Sequence, residues 1–194
     1  MASTQNTQSV LNKSRLDKFL LVFELPPSLK DINVRDQGDR NSKNVMRDTM
    51  HMSVYGAIVP ELTVAAIEIP YGGSNLYQSA HAREPYPPVT VNFTIDNEFN
   101  NYWVIYKWLN LMHDQKTGIY DQDGQDNDDN FTNYQTSMTL YGLDEYENRR
   151  IEFTYTKAFP TILGNIEYNY RTTGEIEASF TFVYSQLHTK LLNL

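Results

Sequence analysis

The sequence predicts a mainly β protein, an antiparallel β-sandwich or open barrel with one helix packed on it. Several segments alternate apolar and polar residues with a period of two, most clearly 88–95. Only one segment, 99–112, repeats apolar residues at helical spacing. The length of 194 residues suits one domain, and a chain of this size buries about 70% of its unfolded surface. We therefore expect a flexible arm over 1–15 and a single domain over 16–194.

The first strand is predicted over 17–25, where Phe19, Leu21 and Phe23 share one face. Pro26-Pro27 ends it, because proline has no N–H for the ladder. The polar, charged segment 28–50 reads as a long loop.

A β-like region with a turn signal is predicted next. Residues 52–69 form two β-like pieces separated by Pro60 and closed by Pro70, and Tyr71-Gly72-Gly73 is a turn signal. Residues 74–82 supply a further strand or hairpin arm.

After the strand 88–95 the period changes to that of a helix, with Asp96 placed to cap it. The helix has two apolar stripes, which predicts that it is buried on two sides. The second side of the helix packs either against a partner or within the deep core of a monomer, and both alternatives stay open. The stripes are Phe99, Tyr102, Trp103, Tyr106 and Asn110, and Ile105, Trp108, Leu109 and Met112.

Residues 114–130 are rich in Asp, Asn, Gln and Gly and predict a solvated loop, since the spacing of an EF-hand calcium loop is missing. Strands follow at 133–141, 150–156 and 176–184, with a short strand at 165–170. The tail 186–194 adds a helical turn or a strand extension. The total is seven to nine strands and one main helix.

Composition excludes several kinds of function. The 24 acidic and 16 basic residues give a net charge of −8, which disfavours DNA binding through phosphate neutralisation. Cysteine is absent, so disulfides and cysteine-bound zinc are excluded. The apolar run nearest the N-terminus, 19–23, is too short to span a bilayer, so we expect no membrane insertion. We also expect the protein to be synthesised in a cytoplasm.

No pattern of catalytic residues is present. The four histidines lie far apart, and no nucleophile elbow, P-loop or dinucleotide motif occurs. Two acidic pairs, Asp144/Glu145 and Glu175/Glu177, are expected on solvated surfaces. The sequence predicts no enzyme, no metal site and no cofactor. The 14 tyrosines fit either core and interface anchors or the platforms of a carbohydrate-binding sandwich.

The order of these motifs resembles the contractile-tail tube proteins of T4-like bacteriophages. The run Pro88–Leu109 is similar to the strand-to-helix signature of that family, and Ile67–Gly73 is similar to its upstream IP-x-G segment. Gly142-Leu143, Phe159–Ile166 and Ile176–Tyr184 agree in order and spacing, so the resemblance covers about 16–187. The loops 28–50 and 114–130 look like insertions.

The resemblance implies a tail tube subunit of the virion, assembled in the host cytoplasm. Subunits of this family form stacked hexameric rings with a β-barrel lumen that conducts double-stranded DNA without specific binding. The implied partners are further copies of the chain and the tail sheath, baseplate, hub and tape measure proteins. An acidic lumen that repels phosphate is a further hypothesis.

Residues for the subunit interface are proposed from this resemblance and from their aromatic character: Phe99, Trp103, Tyr106, Trp108, Tyr71 and Phe159. Two alternatives remain. One is a baseplate tube initiator or terminator, or the tube protein of a related injection system. The other, more distant, is a carbohydrate-binding β-sandwich of a tail tip.

Overall fold

Nine strands and one helix are found in the part of the chain that the computed structural model describes, residues 13–26, 29, 53–112, 134–171 and 173–192. The mainly β class with one packed helix is thus confirmed. The loops predicted over 28–50 and 114–130 and most of the arm 1–15 lie outside the described residues. The elements are β1 Phe19–Phe23, β2 Val54–Ala57, β3 Val64–Tyr71, β4 Ser74–Arg83, β5 Val89–Thr94, α1 Asn100–Asn110, β6 Thr136–Leu143, β7 Arg149–Leu163, β8 Glu177–Val183 and β9 Gln186–Leu191.

Strand β7 is 15 residues long and joins two antiparallel sheets. Its first part pairs with β6 and β9, so the first sheet has the order β1-β6-β7-β9. Its last part pairs with β8, so the second sheet has the order β7-β8-β5-β2. Lys157, with a φ of 53°, lies at the corner between the two parts. A bent strand that changes sheets is a common way to close a sandwich.

The core lies between the inward faces of these sheets. In β5 the predicted alternation is confirmed, since Val89, Val91 and Phe93 are buried and the intervening residues are half-buried. Phe23 of β1 reaches Phe180 of β8 across the sandwich, with ring centroids 6.4 Å apart. Each large apolar side chain buried in this way stabilises the fold by roughly 1.5–3 kcal/mol.

The predicted short strand over 165–170 is wrong, because these residues are irregular. Strand β7 instead continues through Pro160 to Leu163. Pro160 lies opposite Phe182, next to a register shift, where its missing N–H costs least. In the tail, 186–191 forms the strand that was one of two expectations.

The prediction that Asp96 caps the helix is also wrong. Phe99 is the N-cap residue, with a φ of 59° and no side-chain cap bond. The turn is held instead by the buried Asn101. Its Nδ2 donates to the Thr94 carbonyl oxygen at 2.8 Å, and its Oδ1 accepts from the Asp96 N–H at 3.3 Å. An amide can both donate and accept, which a carboxylate cannot do.

Candidate functional site: the uncovered surfaces

Strands β3 and β4 form a two-stranded sheet of their own, separate from the sandwich. Tyr71 pairs with Ser74 across a two-residue turn, in which Gly72 and Gly73 have φ values of 54° and 87°. Two left-handed residues match the twist of a tight hairpin, and glycine adopts them without strain. The expected turn and hairpin arm are confirmed, although the separation of the hairpin from the main sheets was not foreseen.

The register divides the hairpin into an apolar face and a polar face. Ile69 lies opposite Leu76, and Ile67 and Tyr71 share their face by alternation. We call these four residues the apolar face. Their exposed fractions are 37% to 69%.

Polar residues occupy the other face. Glu68 lies opposite Tyr77 and accepts hydrogen bonds from the Asn75 amide and from the Tyr77 hydroxyl, the latter at 3.3 Å. These contacts hold the polar face in order, whereas nothing among the described residues covers the apolar face.

A hairpin with an uncovered apolar face is stabilised when another surface packs on it. A two-stranded sheet without a packing layer is only marginally stable in water. Contiguous exposed apolar surface on a soluble protein commonly marks an interaction site. The apolar face is therefore the strongest candidate assembly surface in the described part of the chain.

The helix carries a second exposed cluster. Its inner side buries Val104, Ile105 and Trp108. On the outside, Trp103 is 39% exposed and stacks on Tyr106 with ring centroids 5.2 Å apart. The Lys107 ammonium lies 4.9 Å from the Trp103 centroid, which favours a cation–π contact. Of the two predicted stripes, the first is the more exposed.

The structure separates the six proposed interface residues into surface and interior groups. Tyr71 is 69% exposed at the hairpin, and Phe99 and Trp103 lie on the surface near the start of the helix. Tyr106 is half-buried beside Trp103. Trp108 is fully buried, so it belongs to the core of the chain and to none of its surfaces.

Phe159 is half-buried. Its ring meets that of Tyr134 edge-on at 5.1 Å, so its main described contact is internal. Of the four residues of the apolar face, Tyr71 was predicted from the sequence, whereas Ile67, Ile69 and Leu76 were missed. Their alternation beside Gly72-Gly73 was visible, but alternation alone does not say what a strand face packs against.

Sheet edges are a third kind of uncovered surface. Among the described strands, the first sheet ends at β1 on one side and β9 on the other, and the second sheet ends at β2. An edge strand offers unpaired N–H and C=O groups that a further strand can join.

The outward face of the second sheet is polar where β5 pairs with β8. Thr90 and Thr181 lie opposite each other, with their hydroxyl oxygens 3.0 Å apart. Asn92 pairs with Ser179 on the same face. The Tyr55 hydroxyl donates a hydrogen bond at 2.9 Å to the carboxylate of Glu177, the first residue of β8. Hydroxyl and amide groups thus line this face along β5 and β8, beside the Glu177 carboxylate and the exposed Ile162 of β7.

Asp144, one member of the two acidic pairs, has a structural role. Asp144 holds the turn between β6 and β7 by accepting from the Tyr146 and Asn148 N–H groups and from Arg150. Burial alone raises the pKa of the Asp144 carboxyl, but hydrogen bonds from Asn148, Arg150 and Tyr146 outweigh it and lower the pKa from 3.8 to about 2. A carboxylate held ionised in this way is not poised for acid–base work near neutral pH.

The described residues hold neither a metal-binding cluster nor a membrane-spanning helix. No group of three or more His, Cys, Asp or Glu side chains there is arranged to hold a metal ion. Among the same residues, no helix has the length and apolar character needed to cross a membrane.

One protein family matches most of this chain. The sequence profile of the family described as "Phage tail tube protein" matches residues 14–190. The chain belongs to the phage tail tube protein family. This family consists of structural tube proteins, so the expectation of a structural role is confirmed at that level. A search of curated protein sequences finds no match to this tail tube protein.

Solved structures show that its fold is shared with contractile injection systems. A chain of the PVC sheath–tube complex in the extended state aligns with a TM-score of 0.58 at 10% identity, covering 98% of this tail tube protein and 100% of that chain. The tube terminating cap of the anti-feeding prophage aligns with a TM-score of 0.58 at 13% identity, covering 99% and 100%. The PVC sheath/tube terminator aligns with a TM-score of 0.59 at 10% identity, covering 94% and 99%.

Proposed function

We propose that this protein is the tail tube subunit of a contractile phage tail, forming stacked hexameric rings whose lumen conducts double-stranded DNA during ejection. The observation that supports it best is the uncovered apolar face of the β3–β4 hairpin in a chain of the tube family. In the tube, a neighbouring copy covers that face.

Ring closure follows from the sheet edges. A copy whose β1 edge meets the β9 edge of the next copy makes a head-to-tail contact, and such contacts form a ring when the rotation closes. The pairing also removes the aggregation hazard of open edges. The hairpin, which stands apart from the two sheets, then contacts a copy in the adjacent ring.

The lumen wall is assigned to the outward face of the second sheet. Thr90, Asn92, Ser179 and Thr181 on this face offer hydroxyl and amide groups and no cation. Phosphate binding depends on Lys and Arg, so such a wall lets DNA slide without being held. The net charge of −8 per subunit acts in the same direction by repelling phosphate.

The remaining partners follow from the same proposal. The aromatic cluster of Trp103 and Tyr106 faces the outside of the tube, toward neighbouring copies or the sheath protein. The baseplate and hub proteins contact the first ring, and the tape measure protein fills the lumen before DNA. The protein is then a virion component assembled in the host cytoplasm.

A tube initiator or terminator is the second candidate. It is favoured by one observation, that a tube terminating cap and a sheath/tube terminator align about as well as the tube chain, with TM-scores of 0.58, 0.59 and 0.58. The tube protein of an injection system that carries no DNA shares the same fold and is a variant of this candidate.

Electron microscopy of the purified protein, alone and with baseplate and sheath added, separates these candidates. Long hollow tubes with sixfold symmetry are the result expected of a tube subunit. Single rings that never stack indicate an initiator or terminator. A monomer that does not assemble under any of these conditions contradicts the proposal.

A further inference from the structure

The base of the β3–β4 hairpin is attached to the sandwich by few contacts. The chain leaves the hairpin through a stiff segment with prolines at 85, 87 and 88. One backbone bond closes the base, from the Glu84 N–H to the Thr63 carbonyl oxygen at 3.2 Å. Neither β3 nor β4 pairs with another described strand. The angle of the hairpin therefore depends on side chains near its base.

One aromatic side chain bridges the hairpin and the sandwich. The ring of Tyr86 packs against the ring of Tyr184 with centroids 5.3 Å apart. On the other side, the Tyr86 hydroxyl accepts a hydrogen bond from Arg83 Nη1, and the Arg83 guanidinium carbon lies 5.6 Å from the ring centroid. Arg83 is the last residue of β4, so Tyr86 contacts the hairpin and the sandwich at the same time.

The sandwich side of this bridge is rigid. Tyr184 packs edge-on against Tyr155 with centroids 5.0 Å apart, and Tyr155 is 1% exposed. Phe182, fully buried, lies 6.0 Å from Tyr184. Burial, followed by the nearby Tyr86, raises the pKa of Tyr184 to about 12, so this anchor is uncharged at neutral pH. Tyr86 thus packs against a side chain that the core holds in place.

Open space lies beside the bridge. A groove of about 700 Å³ lies between residues 83–86 at the hairpin base and residues 184–188 of the sandwich, and a smaller one of about 200 Å³ lies between the two legs of the base, 61–63 and 83–87. Close packing normally holds elements in place. At the larger groove, the aromatic contact found among the described residues is that of Tyr86 with Tyr184, and without that ring the hairpin has room to tilt.

We propose that Tyr86 is a positioning residue that fixes the angle between the hairpin and the sandwich, by joining Arg83 at the hairpin base to Tyr184 at the edge of the core. The angle decides where the apolar face is presented. The consequence for assembly rests on the proposed function, whereas the positioning itself does not.

A distance measurement within the monomer tests the positioning. The chain has no cysteine, so Gln78→Cys in β4 and Lys190→Cys in β9 place two spin labels at exposed sites of the hairpin and the sandwich. Pulsed electron paramagnetic resonance then gives the distribution of distances between them. Tyr86→Ala is expected to broaden it by about twofold or more, because the freed base can tilt.

Three further variants make the test specific. Tyr86→Phe keeps the stacking on Tyr184, so its distribution stays closer to that of the parent. Arg83→Gln removes the guanidinium that contacts Tyr86 from the hairpin side. Because Arg83 lies outside the core, this variant is expected to broaden the distribution even if Tyr86→Ala fails to fold. Tyr77→Ala removes an equally large ring from the hairpin away from its base, and leaves the distribution unchanged.

An unchanged distribution in both Tyr86→Ala and Arg83→Gln overturns the proposal. Assembly is read separately, as the yield of pelleted assemblies at equal concentration. Broadening together with lower yield supports both parts. Broadening with full yield overturns the consequence for assembly and leaves the positioning in place. Failure of the parent protein to assemble counts against the proposed function alone.

Discussion

Trp108 donates its indole N–H to the backbone carbonyl oxygen of Tyr134 at 2.6 Å. The donor lies on the buried side of α1, and the acceptor lies two residues before β6. The bond therefore fastens the helix to the sandwich. It also explains why a tryptophan with an apolar ring and one polar atom suits a fully buried position.

Trp108→Phe is expected to lower the free energy of unfolding by about 1–3 kcal/mol. The change removes a buried hydrogen bond, leaves the Tyr134 carbonyl without this donor, and opens a cavity. Trp103→Phe is the matched control, since Trp103 is 39% exposed, and it is expected to change stability by no more than about 0.5 kcal/mol. Urea unfolding of both variants checks this. Equal losses in the two would contradict the placement of Trp108 in the core.

Asp144→Asn is expected to destabilise the protein in a pH-dependent way. The pKa of Asp144 is lowered from 3.8 to about 2, so its ionised form adds stability above pH 4 that is lost as the pH falls through about 2. The difference in stability between parent and variant should be full at pH 6 and should shrink as the pH falls from about 4 toward 2. Denaturant unfolding across this range measures it. Glu167→Gln, at an exposed site, is the control. A difference that stays constant down to pH 2 would show that the Asp144 contacts do not form.

Phe99→Asn is expected to raise the free energy of unfolding of the monomer by about 0.5–1 kcal/mol. Phe99 has a φ of 59°, a left-handed conformation that costs a bulky residue about 1–2 kcal/mol and that asparagine adopts more easily. Phe99 is 36% exposed, so the loss of its partly buried ring offsets part of this gain. If the ring contacts a neighbouring copy, the same variant weakens assembly. Thermal unfolding of the monomer tests the first effect, and a destabilised monomer would refute it.

The sequence predicted the sandwich well where a strand has one buried face. In β5, β6 and β8 the apolar residues alternate, so burial and register follow from the pattern. It failed where tertiary contacts outweigh local signals. The strand predicted over 150–156 was too short, because the register shift next to Pro160 lets β7 continue to Leu163. Asp96 was read as the helix cap, but the buried amide of Asn101 meets the needs of that turn.

The candidate site was predictable only in part, for a physical reason. Exposed and buried strand faces have the same apolar alternation, so Ile67 and Ile69 look like core residues in the sequence. Only the separation of the hairpin from the sandwich shows that they are exposed. The two stripes of the helix posed the same question. Its answer is mixed, with Trp108 in the core and Trp103 at the surface.

Two tyrosines on opposite faces of the hairpin allow the most direct test of assembly through its apolar face. Tyr71 belongs to the apolar face and Tyr77 to the polar face, and their exposed fractions, 69% and 71%, are nearly equal. The measurement is sedimentation velocity of the parent, Tyr71→Lys and Tyr77→Lys at the same concentrations. Tyr71→Lys places a charge that must be desolvated in the contact and is expected to raise the concentration needed for assembly at least about tenfold. Tyr77→Lys, next to Glu68, is expected to assemble like the parent. Equal assembly of the two variants, or a parent that remains monomeric with baseplate and sheath present, would contradict the account.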